Sequence, residues 1–181
     1  MLAHQFLAML SRRIRWVNAR NRDQVSRFIC KTQYRGMQYR GMKMRNNDAH
    51  SSPELACRAK SVMQMLCKRE MHIATAESCT GGLIAAQLTD IEGCSHAFER
   101  GFVTYTDQSK HELLGVNWQL LNDHGAVSRP VALAMAEGAM ARSGAQIAVS
   151  TTGFAGPGGT EDEEGLVHFA LAREGCNTVH R

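Results

Sequence analysis

Apolar and polar positions alternate along residues 53–181 with two periods, one typical of helices and the other of strands. Short, mostly apolar segments predict four strands, at 72–76, 98–105, 146–153 and 165–172. Helical spacing predicts helices before and between them. They run from Pro53 (capped by Ser52) to about Arg69, over 83–88 and 107–114, just after Asn117, and from a cap at Ser128 to Gly144. This alternation predicts an α/β fold with a layered central sheet, although the strand order cannot be read from the pattern.

Residues 1–52 differ in composition from the rest of the chain. They carry eleven Lys and Arg side chains against Asp23 and Asp48, whereas residues 53–181 carry ten basic and fifteen acidic ones. We therefore predict a basic, disordered leader at 1–52, or one translated from upstream of the true start, and a folded domain at 53–181. A mitochondrial transit peptide is an alternative for the leader, and a nucleic-acid-binding arm is the least favoured.

Cysteine spacing and hydropathy exclude several classes of protein. The six cysteines form no CxxC pair, which favours reduced thiols over a zinc site or a secreted disulfide framework. No segment approaches the roughly 18 consecutive apolar residues of a membrane span. We expect a soluble protein of the cytoplasm without membrane partners, or of mitochondria if the leader is a transit peptide.

Two glycine-bearing turns follow predicted strands, ESCTGG at 77–82 and TGFAGPGG at 152–159. Ligands of open α/β sheets bind at the carboxyl ends of strands, and free N–H groups at the start of a helix suit a phosphate or an oxyanion. Ser78 is a candidate nucleophile if a base lies near it, although a serine at such a turn is most often a helix cap. A desolvated Lys110 could take its proton, with Tyr105 relaying that proton or holding the geometry.

Other reactive side chains have weaker patterns. Cys79 is a rival nucleophile in the first turn, because a helix N-terminus lowers the pKa of a thiol. The histidines show no metal-binding spacing, so we interpret His72, His111, His124 and His168 as surface or structural residues.

Longer motifs occur in a fixed order along the chain: TAESCTGG at 75–82, FERGFVTYTDQSK at 98–110, LGV at 114–116, HGAVS at 124–128, MAEGA at 135–139 and GFAGPGG at 153–159. In this order they resemble the CinA C-terminal domain family, whose enzymes are nicotinamide-nucleotide amidohydrolases (NMN deamidases). The resemblance covers about residues 53–175 and implies a layered α/β/α sandwich with a central sheet.

The resemblance also implies an activity and a site. The reaction is hydrolysis of the carboxamide of nicotinamide mononucleotide to nicotinate mononucleotide and ammonia, with no metal or organic cofactor. Ser78 matches the nucleophile, and Tyr105 and Lys110 match the pair that activates it. The residues that match elements lining the nucleotide pocket are Thr80, Gly81, Gly82, Thr152, Gly153, Gly156, Gly158 and Gly159.

The chain departs from the family pattern at its end, where family members continue with another strand and a terminal helix that carries arginines of the site. We therefore expect a sandwich that lacks this terminal strand and helix, or a homo-oligomer in which a second copy covers the gap. A catalytically impaired nucleotide-binding remnant of the same family is the alternative function.

Overall fold

The computed structural model describes residues 53–154 and 164–181. Its helices are α1 Pro53–Cys67, α2 Leu83–Thr89, α3 Asp107–Leu114, α4 Trp118–His124 and α5 Arg129–Ser143, with a 3₁₀ turn at Ser95–Ala97. Its strands are β1 Ile73–Glu77, β2 Phe98–Val103, β3 Ile147–Gly153, β4 Val167–Arg173 and β5 Cys176–His180. The predicted leader at 1–52 and the predicted cap Ser52 lie outside the described residues.

The five strands form one sheet in the order β2-β1-β3-β4-β5. Strand β1 lies between β2 and β3 and runs parallel to both, and β4 and β5 continue the sheet antiparallel. The carboxyl ends of β1, β2 and β3 therefore meet at one edge of the sheet, which is the edge where α/β proteins bind ligands.

Helices cover both faces of the sheet. Residues of α1 and α2 pack with Ile73, Ile147 and Val149 on one face, and residues of α3, α4 and α5 pack with Ala74, Ala76 and Ala148 on the other. Because both of its faces are covered, β1 is buried along its whole length. The predicted α/β/α sandwich is confirmed, and in the described part of the chain no helix is long and apolar enough to cross a membrane.

Three local predictions need correction. The structure adds a fifth strand, β5, whose polar sequence CNTVH lacks the alternation that marked the others. Strand β2 ends at Val103 rather than at 105. Ser128 stands at the N-cap of α5, but its hydroxyl donates to the Gly125 carbonyl at 2.9 Å instead of capping the helix.

Helices α3 and α5 approach each other closely at Gly138. A Cβ atom built on Gly138 would lie 2.1 Å from the Leu114 carbonyl oxygen and 2.9 Å from its carbonyl carbon. The last turn of α3 therefore rests on bare backbone of α5, and any side chain at position 138 would push the two helices apart.

We expect Gly138→Ala to lower the free energy of unfolding by about 1–3 kcal/mol, because overpacking against backbone outweighs the gain in helix propensity. Chemical denaturation of the variant measures this loss. Glu137→Ala is the matched control, since Glu137 is the exposed neighbour on the same helix and should leave stability nearly unchanged. An alanine at 138 that stabilises the protein would contradict the close approach.

Candidate active site

The turn that joins β1 to α2 lies at the carboxyl edge of the parallel strands. Ser78 continues the β-ladder beyond β1, because its N–H donates to the Thr151 carbonyl at 3.0 Å, and it is only 8% exposed. Gly81 and Gly82 then adopt φ angles of 59° and 97°, in the left-handed region that glycine enters without strain. The two glycines let the chain reverse from strand into helix within a few residues of Ser78.

The carboxylate of Glu77 organises this turn. Glu77 is 1% exposed, and its Oε2 accepts hydrogen bonds from Thr80 Oγ1 at 2.7 Å, Gly82 N at 3.1 Å and Ile84 N at 3.0 Å. Its Oε1 accepts one from Ala85 N at 2.8 Å. Helix α2 has no side-chain cap of its own, because Gly82 occupies its N-cap position. The strand residue Glu77 therefore supplies the acceptors that the first turn of the helix needs.

A chain of hydroxyl groups extends from this carboxylate. The Oγ1 atoms of Thr80 and Thr151 are 2.8 Å apart. Thr80 has a single hydroxyl proton, and the Glu77 carboxylate is the acceptor that takes it, so Thr151 donates to Thr80. The hydroxyl of Thr80 thus links the buried carboxylate of β1 to β3.

Cys79 has the chemistry of a protonated thiol rather than of a nucleophile. Burial raises its pKa, and the negative charge of Glu77 acts in the same direction. Its own backbone N–H, Thr151 and Lys110 oppose the shift without cancelling it. The hypothesis of a thiolate activated by the helix N-terminus is therefore disfavoured.

Lys110, on α3, is the candidate base. Its side chain is 1% exposed, and its Nζ donates to the Tyr105 carbonyl at 3.0 Å and lies 3.8 Å from Asp107 Oδ1. Burial lowers the pKa of the amine, and Asp107 partly opposes this by favouring the charged form. The Thr104 N–H donates to the Glu77 carbonyl at 2.7 Å, so the segment that holds the amine through the Tyr105 carbonyl runs beside the turn that carries Ser78. A lowered pKa makes the neutral amine, the form that can accept a proton, more accessible.

Tyr105 contributes its backbone rather than its ring to this arrangement. Its side chain is 75% exposed, while its carbonyl accepts the hydrogen bond from Lys110. The structure therefore brings Lys110 to the turn of Ser78 but leaves the Tyr105 phenol at the surface. A direct role for that phenol stays a prediction.

Some backbone N–H groups of the turn already donate hydrogen bonds, so only the remaining ones can donate to an oxyanion. The N–H groups of Ser78, Gly81 and Gly82 already donate, to Thr151 O, Ser78 O and Glu77 Oε2 respectively. Within residues 53–154 and 164–181, the N–H groups of Cys79 and Thr80 donate to no other residue, and that of Cys79 interacts with its own thiol. They are the two donors of the turn that can face a developing negative charge.

The second predicted loop is described only at its start. The Thr152 hydroxyl is buried and donates to the Ala126 carbonyl at 2.8 Å. Gly153 packs its backbone against β4, since a Cβ there would lie 2.6 Å from the Leu166 carbonyl oxygen. Gly156, Gly158 and Gly159 lie outside the described residues, so their lining of a nucleotide pocket stays a prediction, as it does for Thr80, Gly81 and Gly82.

Sequence analysis missed Glu77 as a functional residue. Its signal in the sequence is a single carboxylate at the end of the otherwise apolar strand HIATAE, directly before the candidate nucleophile. Acidic side chains are almost never buried unless they are paired, so this position indicates a specific partner even though the partner cannot be named from the pattern.

Relatives of the chain are found among bacterial proteins. The CinA C-terminal domain family matches residues 56–181. A putative competence-damage inducible protein of Symbiobacterium thermophilum is 55% identical over 118 residues, which cover 64% of this chain and 28% of that protein. A CinA-like protein of Akkermansia muciniphila is 50% identical over 129 residues, covering 70% of this chain and 31% of that protein. The chain thus spans about three tenths of the length of these curated relatives.

Solved structures share the fold. The competence/damage inducible protein CihA from Agrobacterium tumefaciens superposes with a TM-score of 0.66 at 48% identity, covering 68% of this chain and 76% of that one. A CinA superfamily protein from Escherichia coli superposes with a TM-score of 0.65 at 35% identity, covering 81% and 86%. The sandwich described above is therefore the fold of these proteins.

We expect Glu77→Gln to lower the free energy of unfolding by about 2–3 kcal/mol, because the amide group would turn a donor toward a backbone N–H and leave both unsatisfied. Denaturant unfolding measures the loss. Glu99→Gln is the matched control, because this exposed carboxylate forms an ion pair with its neighbour Arg100, and it should unfold like the unmodified protein. Equal stability of the two variants would contradict the role of Glu77 in holding the turn.

Proposed function

This chain belongs to the CinA C-terminal domain family, and we propose that it hydrolyses the carboxamide of nicotinamide mononucleotide to nicotinate mononucleotide and ammonia. One observation carries the proposal. A buried lysine, whose pKa is lowered by burial, is held by the segment that hydrogen-bonds to Glu77 directly before Ser78, at the carboxyl edge of the parallel strands. The resemblance of the motifs around both residues to the nicotinamide-nucleotide amidohydrolases supports the choice of substrate.

The first half of the proposed reaction forms an ester. Neutral Lys110 accepts the hydroxyl proton of Ser78 while the oxygen attacks the amide carbon. The N–H groups of Cys79 and Thr80 donate to the resulting oxyanion, a contribution worth about 10²–10³ in rate per donor. The tetrahedral intermediate then collapses, the C–N bond breaks, and the proton held by Lys110 leaves with the nitrogen as ammonia.

The second half consumes water. Lys110, again neutral, accepts a proton from a water molecule that attacks the ester carbon. Collapse of the second intermediate breaks the bond to Ser78 and returns the proton to the serine oxygen, so that the enzyme is restored and the acid is released. The Tyr105 carbonyl and Asp107 hold the amine in place through both halves.

We expect Ser78→Ala to lower the rate of ammonia release from nicotinamide mononucleotide by at least about 10³-fold, because no other hydroxyl of the turn is free to attack. An enzyme-coupled ammonia assay measures the rate. Cys79→Ala is the matched control from the same turn and should retain most of the activity. Loss of activity in Cys79→Ala with full activity in Ser78→Ala would transfer the nucleophile to the thiol. Binding of the nucleotide by the folded, unmodified chain without any ammonia release would favour the remnant hypothesis.

The pH dependence of the activity tests the assignment of Lys110 as the base. Activity should rise with pH as Lys110 loses its proton, and the acidic limb should lie below the usual range for lysine, because burial lowers this pKa. Asp107 favours the protonated amine, so Asp107→Asn should move the limb to still lower pH. Profiles of kcat against pH measure the shift. Glu112→Gln, on the same helix but hydrogen-bonded to Gln108, should leave the limb in place, and a limb unmoved by Asp107→Asn would contradict the assignment of Lys110.

A further inference from the structure

The three parallel strands β1, β2 and β3 end at the same level of the sheet. Glu77 on β1 pairs with Val103 on one side and with Thr151 on the other. Just beyond this pairing, the Thr104 N–H donates to the Glu77 carbonyl at 2.7 Å. On the other side, the Ser78 N–H donates to the Thr151 carbonyl at 3.0 Å. The next residue after β2, after β1 and along β3 carries a hydroxyl group in each case, and we call these three the hydroxyl row: Thr104, Ser78 and Thr152.

Strand alternation points the hydroxyl row to the face of the sheet that α3 and α5 cover. Ala76 on β1 and Phe102 on β2, two residues before the row, both pack in the hydrophobic cluster of that face. Side chains two positions apart on a strand share a face. The direction is the same on β3, because the Thr152 hydroxyl donates to the Ala126 carbonyl in the loop before α5. The row therefore lies on the side of the sheet where α3 carries Lys110.

The Thr104 hydroxyl is buried without a hydrogen-bond partner. Thr104 is completely buried, and its Oγ1 forms no hydrogen bond within residues 53–154 and 164–181. Burial of a hydroxyl group that forms no hydrogen bond costs free energy, and a valine side chain of nearly the same shape would avoid this cost. Packing alone therefore does not account for a hydroxyl group at this position, which indicates a partner that the oxygen meets during the reaction.

The Ser78 oxygen is the neighbour that the Thr104 hydroxyl can reach in the row. Neighbouring strands lie about 4.8 Å apart. Rotation of two side chains about their Cα–Cβ bonds can close this span to the length of an O–H···O hydrogen bond. The other neighbour of Ser78 in the row, Thr152, already gives its hydroxyl proton to the Ala126 carbonyl. Thr104 is thus the member of the row that has a proton to donate to Ser78.

The candidate base is held by the same short segment. The Lys110 amine donates to the carbonyl of Tyr105, the residue after Thr104, and α3 begins two residues later, at Asp107. The amine and the Thr104 hydroxyl are therefore both fixed at the carboxyl end of β2. From this one segment Ser78 has a proton acceptor in the amine and a proton donor in the hydroxyl.

We propose that the Thr104 hydroxyl donates a hydrogen bond to Ser78 Oγ during catalysis, an inference that rests on the proposed function. This bond occupies one lone pair of the serine oxygen and so turns the serine O–H toward Lys110. As Lys110 takes that proton, the hydrogen bond stabilises the negative charge that develops on the oxygen. When the ester is hydrolysed, the same donor stabilises the departing serine oxygen. Thr104 keeps its own proton throughout, so the balance of the reaction is unchanged.

Thr104→Val tests this hydrogen bond, because valine keeps the shape of the side chain and removes the hydroxyl group. The value of kcat for ammonia release from nicotinamide mononucleotide should fall about 10- to 100-fold, the effect of losing a hydrogen bond to a developing charge, with KM nearly unchanged. Thr104→Ser, which restores the hydroxyl group, should recover most of kcat. Denaturant unfolding of Thr104→Val should show no loss of stability, since the resting structure loses no hydrogen bond.

Thr75→Val is the matched control. Thr75 on β1 is also completely buried, and its Oγ1 likewise has no hydrogen bond in the described part of the chain. It lies on the α2 face, because its Oγ1 would be 2.9 Å from a Cβ built on Gly101, which would itself lie 3.2 Å from Ala85 Cβ. Thr75→Val should therefore leave both kcat and stability unchanged. Full kcat in Thr104→Val, or an equal loss of kcat in the two valine variants, overturns the proposal.

Phosphonylation of Ser78 by a small fluorophosphonate, followed by peptide mass spectrometry, separates this proposal from the proposed function. The reagent reports the reactivity of the serine without an amide substrate. If the unmodified chain reacts at Ser78 but releases no ammonia from the nucleotide, the substrate assignment fails. Slower phosphonylation of Thr104→Val than of Thr75→Val then still supports the role of Thr104, and equal rates overturn it. If Ser78 is not phosphonylated and no ammonia is released, the serine is not a nucleophile and both proposals fail.

Discussion

The buried carboxylate of Glu77 is the interaction on which the rest of the candidate site depends. A helix that follows a strand within a few residues begins with N–H groups that need acceptors, and Gly82 at its N-cap has no side chain to supply them. Glu77 accepts from Gly82, Ile84 and Ala85. The glycines that make the turn possible have no side chain that could cap the helix, and the carboxylate of Glu77 at the end of β1 takes this role. Ser78 is the next residue, so its backbone is fixed by the same bonds.

The sequence predicts the parts of this arrangement that are local. Short apolar segments predict β1, β3 and β4, and the glycines predict the turn. Both patterns lie within a few neighbouring residues. The role of Glu77 depends on backbone N–H groups up to eight residues later in the chain. These groups come within hydrogen-bond distance of the carboxylate only after the turn has formed. The sequence does not predict β5 for a related reason. Its exposed positions carry polar residues, and the segment is a strand because its backbone pairs with β4. No local periodicity reports that pairing.

The burial of Lys110 is a feature that the polar pattern of its helix does not predict. The segment DQSKHELL is polar and reads as a solvated helix, yet its lysine is almost fully buried. The burial comes from tertiary packing, because α3 rests on bare backbone at Gly138. Motif resemblance finds the residue, whereas only the fold explains why its pKa is lowered. Tyr105 directs its ring to solvent, and its carbonyl binds the amine.

The charged groups of the candidate site lie on two faces of the sheet, and they differ in how many hydrogen bonds they form. On the α2 side of the sheet, Glu77 is saturated by four donors, so its charge serves structure and is not available to substrate. On the α5 side, the described residues give the Lys110 amine only the Tyr105 carbonyl and the more distant Asp107 carboxylate. Strand alternation separates the two sets, because Thr151 faces Thr80 while Thr152 faces Ala126. The Glu77 carboxylate therefore holds the turn from one face of the sheet, while α3, which carries the Lys110 amine, covers the other.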